Sequence, residues 1–146
     1  MIWNTLERHR DAGLLILRLG VGFSYMYFHG WSKISGGPES WTQYGGSMEH
    51  LGITFLPTFW GFMVAFAEFF GGFFIAIGFL FRPAAALIMI AMIVATNMHI
   101  QTGQGGPAHS LKMAFVFAGL LFVGPGKYSL DSLIYRKRNT TTLGLR

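Results

Sequence analysis

Residues 83–111 contain no Asp, Glu, Lys or Arg. A membrane-spanning helix needs about 20 mostly apolar residues, and this window supplies them without a charge. The run therefore restricts the chain to folds in which a long apolar helix is covered by lipid or by other helices. Three further segments are long enough if each tolerates one interior charge. They are 12–32 around Arg18, 56–81 around Glu68, and 109–126 around Lys112. The last is short, and Lys112 is expected to snorkel from its end.

Composition points the same way. Hydrophobic residues make up 52% of the chain and charged residues 12%, where globular domains carry about 25% charge. Cysteine is absent, which excludes disulfides, thiol redox chemistry, thiolate metal sites and iron–sulfur clusters. Any redox role then needs a bound cofactor, a diffusible substrate or a partner subunit. The net charge of +5 is gathered toward the chain ends. That distribution fits membrane topology rather than nucleic-acid binding.

The breaks between segments have local causes. "SGGP" (35–38) ends the first, and Pro57 suits the first turn of the second. "FRP" (81–83) is a tight connection, with Pro83 opening the third helix over 83–102. "TGQGGP" (102–107) precedes the fourth, and "GPG" (124–126) closes it. Residues 39–51 are read as a short interfacial helix weakened by Gly45 and Gly46. Arg18 interrupts the first apolar run and no clean cleavage site follows, so this helix is expected to be retained.

Basic residues set the orientation. Arg8, Arg10, Arg82 and a tail at 127–146 with Lys127, Arg136, Lys137, Arg138 and Arg146 mark one side. The positive-inside rule makes that side cytoplasmic, with both termini on it. Trp31, Trp41 and Trp60 then fall at the outer edge. The expected fold is all-α: one domain over 1–146, an integral membrane four-helix bundle.

Helical spacing places Arg18, Gly22, Tyr25, His29 and Lys33 on one face of the first helix. Leu17, Phe23 and Phe28 lie elsewhere, toward lipid. Gly61, Ala65, Glu68, Gly72 and Ala76 repeat the offsets in the second helix, and small residues let helices approach closely. The third helix aligns Ile88, Met92, Ala95 and His99; the fourth aligns Lys112 with Gly119, beside the pair Ala114 and Ala118. Depth along the helices predicts an ion pair between Arg18 and Glu68, direct or bridged. An isolated charge at mid-membrane costs about 2.5–3.5 kcal/mol on insertion scales. Toward the outer side gather His29, Lys33, Asn97, His99, Gln101, His109 and Lys112. Asn97 and His99 cannot face the same spot, and His99 is expected to point inward.

Three stretches resemble the DoxX family of small bacterial membrane proteins. They are "LRLGVGFSYMYFHGWSKI" (17–34), "AEFFGGFFIAIGFLFRPAA" (67–85) and "GLLFVGPGKYSLDSLI" (119–134). The resemblance covers about 12–134 and implies a four-helix, multi-pass protein of the bacterial inner membrane. It also implies association with redox systems: quinone-reducing thiosulfate oxidation, oxidative-stress complexes, or enzymes that remove catechols and quinones. Related four-helix proteins serve as assembly factors or cargo receptors, so fold does not fix function.

A quinone carbonyl gains electron density on reduction, which a basic side chain stabilises. Arg18 and Glu68 are therefore candidate catalytic residues, with Tyr25, His29, Lys33, His99 and Lys112 as candidate quinone-binding residues. Glu68, Tyr25 or His29 would pass protons. The structural alternative is that Arg18 and Glu68 only fix helix register. Two axial haem ligands at His29 and His99 are disfavoured, because neither spacing nor motif demands them. No metal site is expected, since carboxylates are scarce and His-x-x-His is absent. "GPGKYSLD" (124–131) lacks the Gly-Lys-Ser/Thr ending of a phosphate loop. It is read as a helix terminator, with Ser129 or Asp131 capping a short tail helix whose "YRKRN" binds anionic lipid. The leading function is a membrane subunit of a quinone-linked redox or detoxification system, at most an oxidoreductase subunit. A non-catalytic anchor, assembly factor or chaperone is the alternative. The expected partners are the lipid bilayer, a redox subunit and further copies of the chain.

Overall fold

The computed structural model describes residues 9–143, and the regular structure among them is helical. Arg8 and Arg146 of the expected basic ends lie outside the described residues. Helix α1 (Arg10–Ser24) continues through a π-helical segment, Tyr25–Gly30, into α2 (Trp31–Ser35). Helix α3 (Gly37–Gly45) runs into a 3₁₀ turn, Gly46–Leu51. Then come α4 (Pro57–Ile77), α5 (Phe81–Thr102), α6 (Pro107–Val123) and α7 (Leu130–Leu143). By length and composition α4 and α5 can each cross a membrane, and α6 is a shorter apolar helix.

The helix ends follow from the punctuating residues. Pro57 and Pro107 occupy first-turn positions, where the missing N–H costs nothing. Gly78 ends α4 with φ of 69°, its N–H bonded to Phe74 O at 2.8 Å, while Phe79 N–H reaches the same carbonyl at 3.0 Å. A side chain at Gly78 would also strike the Arg18 guanidinium, so both backbone and space require glycine. The 39–51 region forms the expected short helix, and Gly45 has a packing role there: a Cβ would collide with the Pro57 carbonyl.

Close helix approach is built on small residues. A Cβ on Gly22 would lie 2.5 Å from Gly72 O and 2.6 Å from Ala76 N. Gly30 meets the backbone of Phe69 and Glu68 as tightly. These contacts set α1 and its π segment against α4, as small stripes do in membrane bundles. The core behind them includes Tyr25, Ile75, Phe81, Ile88, Phe117 and Leu120. Helix α6 departs from expectation. Lys112 and Gly119 face outward, and α6 buries Ser110, Ala114, Phe117 and Leu120 instead. The bulky Phe117 fills its inner face, packing edge-on to Tyr25 with centroids 5.0 Å apart. Outside, apolar side chains such as Ile16, Phe28, Phe115 and Phe122 are broadly exposed, a surface suited to lipid rather than water.

The two ends of the bundle are tied differently. At one end Asp131 accepts hydrogen bonds from Leu80 N–H and Phe81 N–H, each at 3.0 Å, so it caps the start of α5. Ser129 caps α7 by accepting from Ser132 N–H at 3.2 Å. Asp11 accepts from Lys127 N–H at 3.0 Å at this same end. At the other end His50 O accepts from Asn97 and Gln101, and α3 lies across the start of α4.

Candidate functional site

The sequence stripe Arg18, Tyr25, His29 and Lys33 does not remain one stripe. In the π segment each turn takes up more residues than an α-helical turn. Past Met26, whose backbone lies against Gly72, the residue packed against α4 is Gly30, not His29. His29 is turned toward α6, where its ring stacks on His109 at 5.7 Å. Lys33, three residues beyond Gly30, returns to α4. A π segment at such a position re-aims side chains, a device common at functional sites.

Lys33 Nζ donates to Glu68 Oε2 at 2.5 Å. Glu68 is fully buried on α4, one turn from the equally buried Ala65. The ammonium also lies 5.1 Å from the ring centroid of Tyr44, within cation–π range. Trp41 Nε1 donates to Lys33 O at 2.9 Å and so fixes the end of α2 against α3. Lys33, Glu68, Tyr44, Ser47 and His99 line a cavity of about 250 Å³, its remaining walls apolar. His99 Nδ1 lies 2.6 Å from Gln104 O, which orients the ring. An ion pair at the wall of a small cavity offers one strong donor and one strong acceptor to a single headgroup.

The predicted Arg18–Glu68 pair is not formed. Arg18 is buried, and its guanidinium donates to Pro125 O at 3.1 Å and to Tyr128 O at 2.8 Å. These carbonyls are free because Gly124 ends α6, so the loop can wrap around the guanidinium. Among the described residues, Arg18 Nε has no hydrogen-bond partner. Glu68 is satisfied by Lys33 from the opposite end of the helix, which the depth estimate passed over.

The other expected site residues are divided. Tyr25, His29 and His109 line a separate cleft of about 240 Å³ between α1 and α6, and Tyr25 Oη donates to Met92 Sδ at 3.1 Å. His29 and His99 therefore line different clefts. Lys112 is exposed on α6 and lines neither. Among the described residues, no group of three or more His, Asp or Glu could hold a metal ion.

Tyr44, Ser47 and Met48 were not singled out in the sequence. They arrive from the α3–3₁₀ region, and the signal was present: Trp41, Tyr44, Gly45 and Met48 share helical spacing. In the sequence His109 carries only a depth, because its stacking on His29 depends on the π turn.

The DoxX family model matches residues 13–100, a span that contains Lys33, Glu68, Tyr44 and His99. The chain is also 28% identical over 137 residues to the inner membrane protein YqjF of Escherichia coli (strain K12), covering 90% of this chain and 99% of that protein. No solved structure matches it.

Proposed function

Because the chain belongs to the DoxX family of membrane proteins, we propose that it is the quinone-binding membrane subunit of a redox or detoxification system. The observation that carries this reading is the Lys33–Glu68 pair on the wall of a small, partly open cavity. Lys33 is placed to donate to a quinone oxygen as electron density builds there on reduction. Glu68 is placed to exchange a proton with the same headgroup. Reduction to quinol takes two electrons and two protons. The chain has no cysteine, so the electrons enter from a bound cofactor, a partner subunit or a diffusible donor. His99, on the same cavity, is the second proton-carrying group.

The proposed setting is the bacterial inner membrane, the location in the name of the YqjF relative. Helices α1–α2, α4, α5 and α6 cross it, with both termini cytoplasmic. The clustering of Asp11, Lys127, Arg82 and the α7 start at one end supports that arrangement. The Lys33–Glu68 cavity then opens toward the outer side, and Arg18 locks the cytoplasmic end.

The test is extraction. Protein purified in mild detergent should carry quinone detectable by absorbance and mass spectrometry, at a ratio reduced in Lys33→Met. Quinone-free protein that co-purifies with a stoichiometric protein partner would instead support an anchor or assembly role.

A further inference from the structure

Beside the Lys33–Glu68 cavity runs a second, larger space of about 350 Å³ between α4 and α5. Met48, Val64, Ala91 and Val94 line both spaces, so the two adjoin across these four side chains. The second space exists because Ala67 and Ala91 are small where the helices face each other. Its outer walls are Phe59, Trp60, Met63, Leu87 and Ile90. The indole N–H of Trp60 is the one polar side-chain group in this lining, and it already donates to Phe55 O at 3.1 Å. The groove thus offers a polar ligand nothing, while it adjoins a cavity that offers an ion pair.

We propose that this groove holds the hydrocarbon tail of the quinone whose headgroup meets Lys33 and Glu68. The inference rests on the headgroup reading above and narrows it. The ligand is a lipid quinone of the membrane pool, not a small water-soluble quinone or catechol. A soluble ligand would need only the polar cavity. A tailed ligand needs an apolar path from that cavity to lipid, and exposed Phe59 and Ile90 mark where the path meets lipid. Binding pockets for such ligands span about 300–1,000 Å³, more than the polar cavity alone provides.

Photo-cross-linking tests this in protein reconstituted into phosphatidylethanolamine–phosphatidylglycerol nanodiscs. The probe is a benzoquinone whose decyl tail ends in a diazirine, and tailless duroquinone serves as the headgroup competitor. The expected adducts fall on Trp60, Met63, Leu87 or Ile90, and excess duroquinone or unlabelled decyl quinone suppresses them. Met63→Trp and Leu87→Trp fill the groove and should each lower adduct yield about tenfold, equivalent to a tenfold weaker tail-bound state. Duroquinone affinity should stay within about twofold in both. Adducts that duroquinone suppresses but that fall on α1 or α6 overturn the tail assignment and leave the headgroup reading standing. Adducts that no quinone suppresses mark an ordinary bilayer acyl chain in the groove and also overturn it. Failure of duroquinone to bind the unaltered protein overturns the headgroup reading, and this inference with it.

Discussion

Lys33 and Glu68 lie 35 positions apart and meet at 2.5 Å, one from the short helix that follows the π segment, the other from the middle of an apolar helix. The pair neutralises the carboxylate where a lone charge would be costly. Its partner groups leave one side of it facing a cavity.

Removing either member strands the other. Glu68→Leu or Lys33→Met alone should cost about 3 kcal/mol, the low end of the range for broken buried pairs because the Lys33 side chain is 19% exposed. The double variant Lys33→Met/Glu68→Leu should recover most of that loss. Thermal unfolding of the four proteins in detergent closes the double-mutant cycle.

Glycine substitutions should separate by contact. Gly22→Ala puts a methyl against Gly72 O and Ala76 N and should destabilise by about 1–3 kcal/mol. Gly20→Ala meets nothing within 4 Å and should not destabilise. Midpoints of thermal unfolding in one detergent give the comparison.

Arg18 holds the loop after α6 through two carbonyls that flank Lys127. Arg18→Lys loses the forked geometry, and hydrogen bonds to charged groups contribute about 1.5–3 kcal/mol. Trypsin should then cut after Lys127 about tenfold faster, following the population of the open loop. Unchanged cleavage would mean the loop is held by its contacts with Asp11, Ser129 and Asp131 without Arg18.

Asp131 joins the tail to the turn between α4 and α5. Asp131→Ala removes the acceptor for two N–H groups at the start of α5 and should cost about 0.5–2 kcal/mol. Hydrogen exchange at Leu80 and Phe81 should rise in this variant and not in Lys127→Ala, whose 3.6 Å contact with Asp11 is largely exposed.

Much of the architecture was legible because apolar length and punctuation are local signals. The charge-free window, Pro57 and the glycine turns placed the main helices to within a few residues. The small stripe of α4 was equally readable, since Gly61, Ala65, Glu68 and Gly72 are all buried. The pairing of charges was not. It depended on the π segment, which no residue in "YMYFHG" announces and which separates His29 from Lys33. Spacing also misled on α6, where Lys112 and Gly119 align but face out, because Phe117 supplies the packing volume instead. Arg18 found backbone carbonyls rather than Glu68, and a loop's freed carbonyls leave no mark in a residue pattern.

Duroquinone titrated calorimetrically into the reconstituted protein decides whether the Lys33–Glu68 pair is a headgroup site. Lys33→Met and Glu68→Gln, each checked for unaltered elution and helicity, should weaken binding at least about tenfold, or 1.4 kcal/mol. Lys112→Ala, exposed on α6 and outside both cavities, should bind as the unaltered protein does. Full affinity in both pair variants would contradict the account and leave the pair a purely structural one.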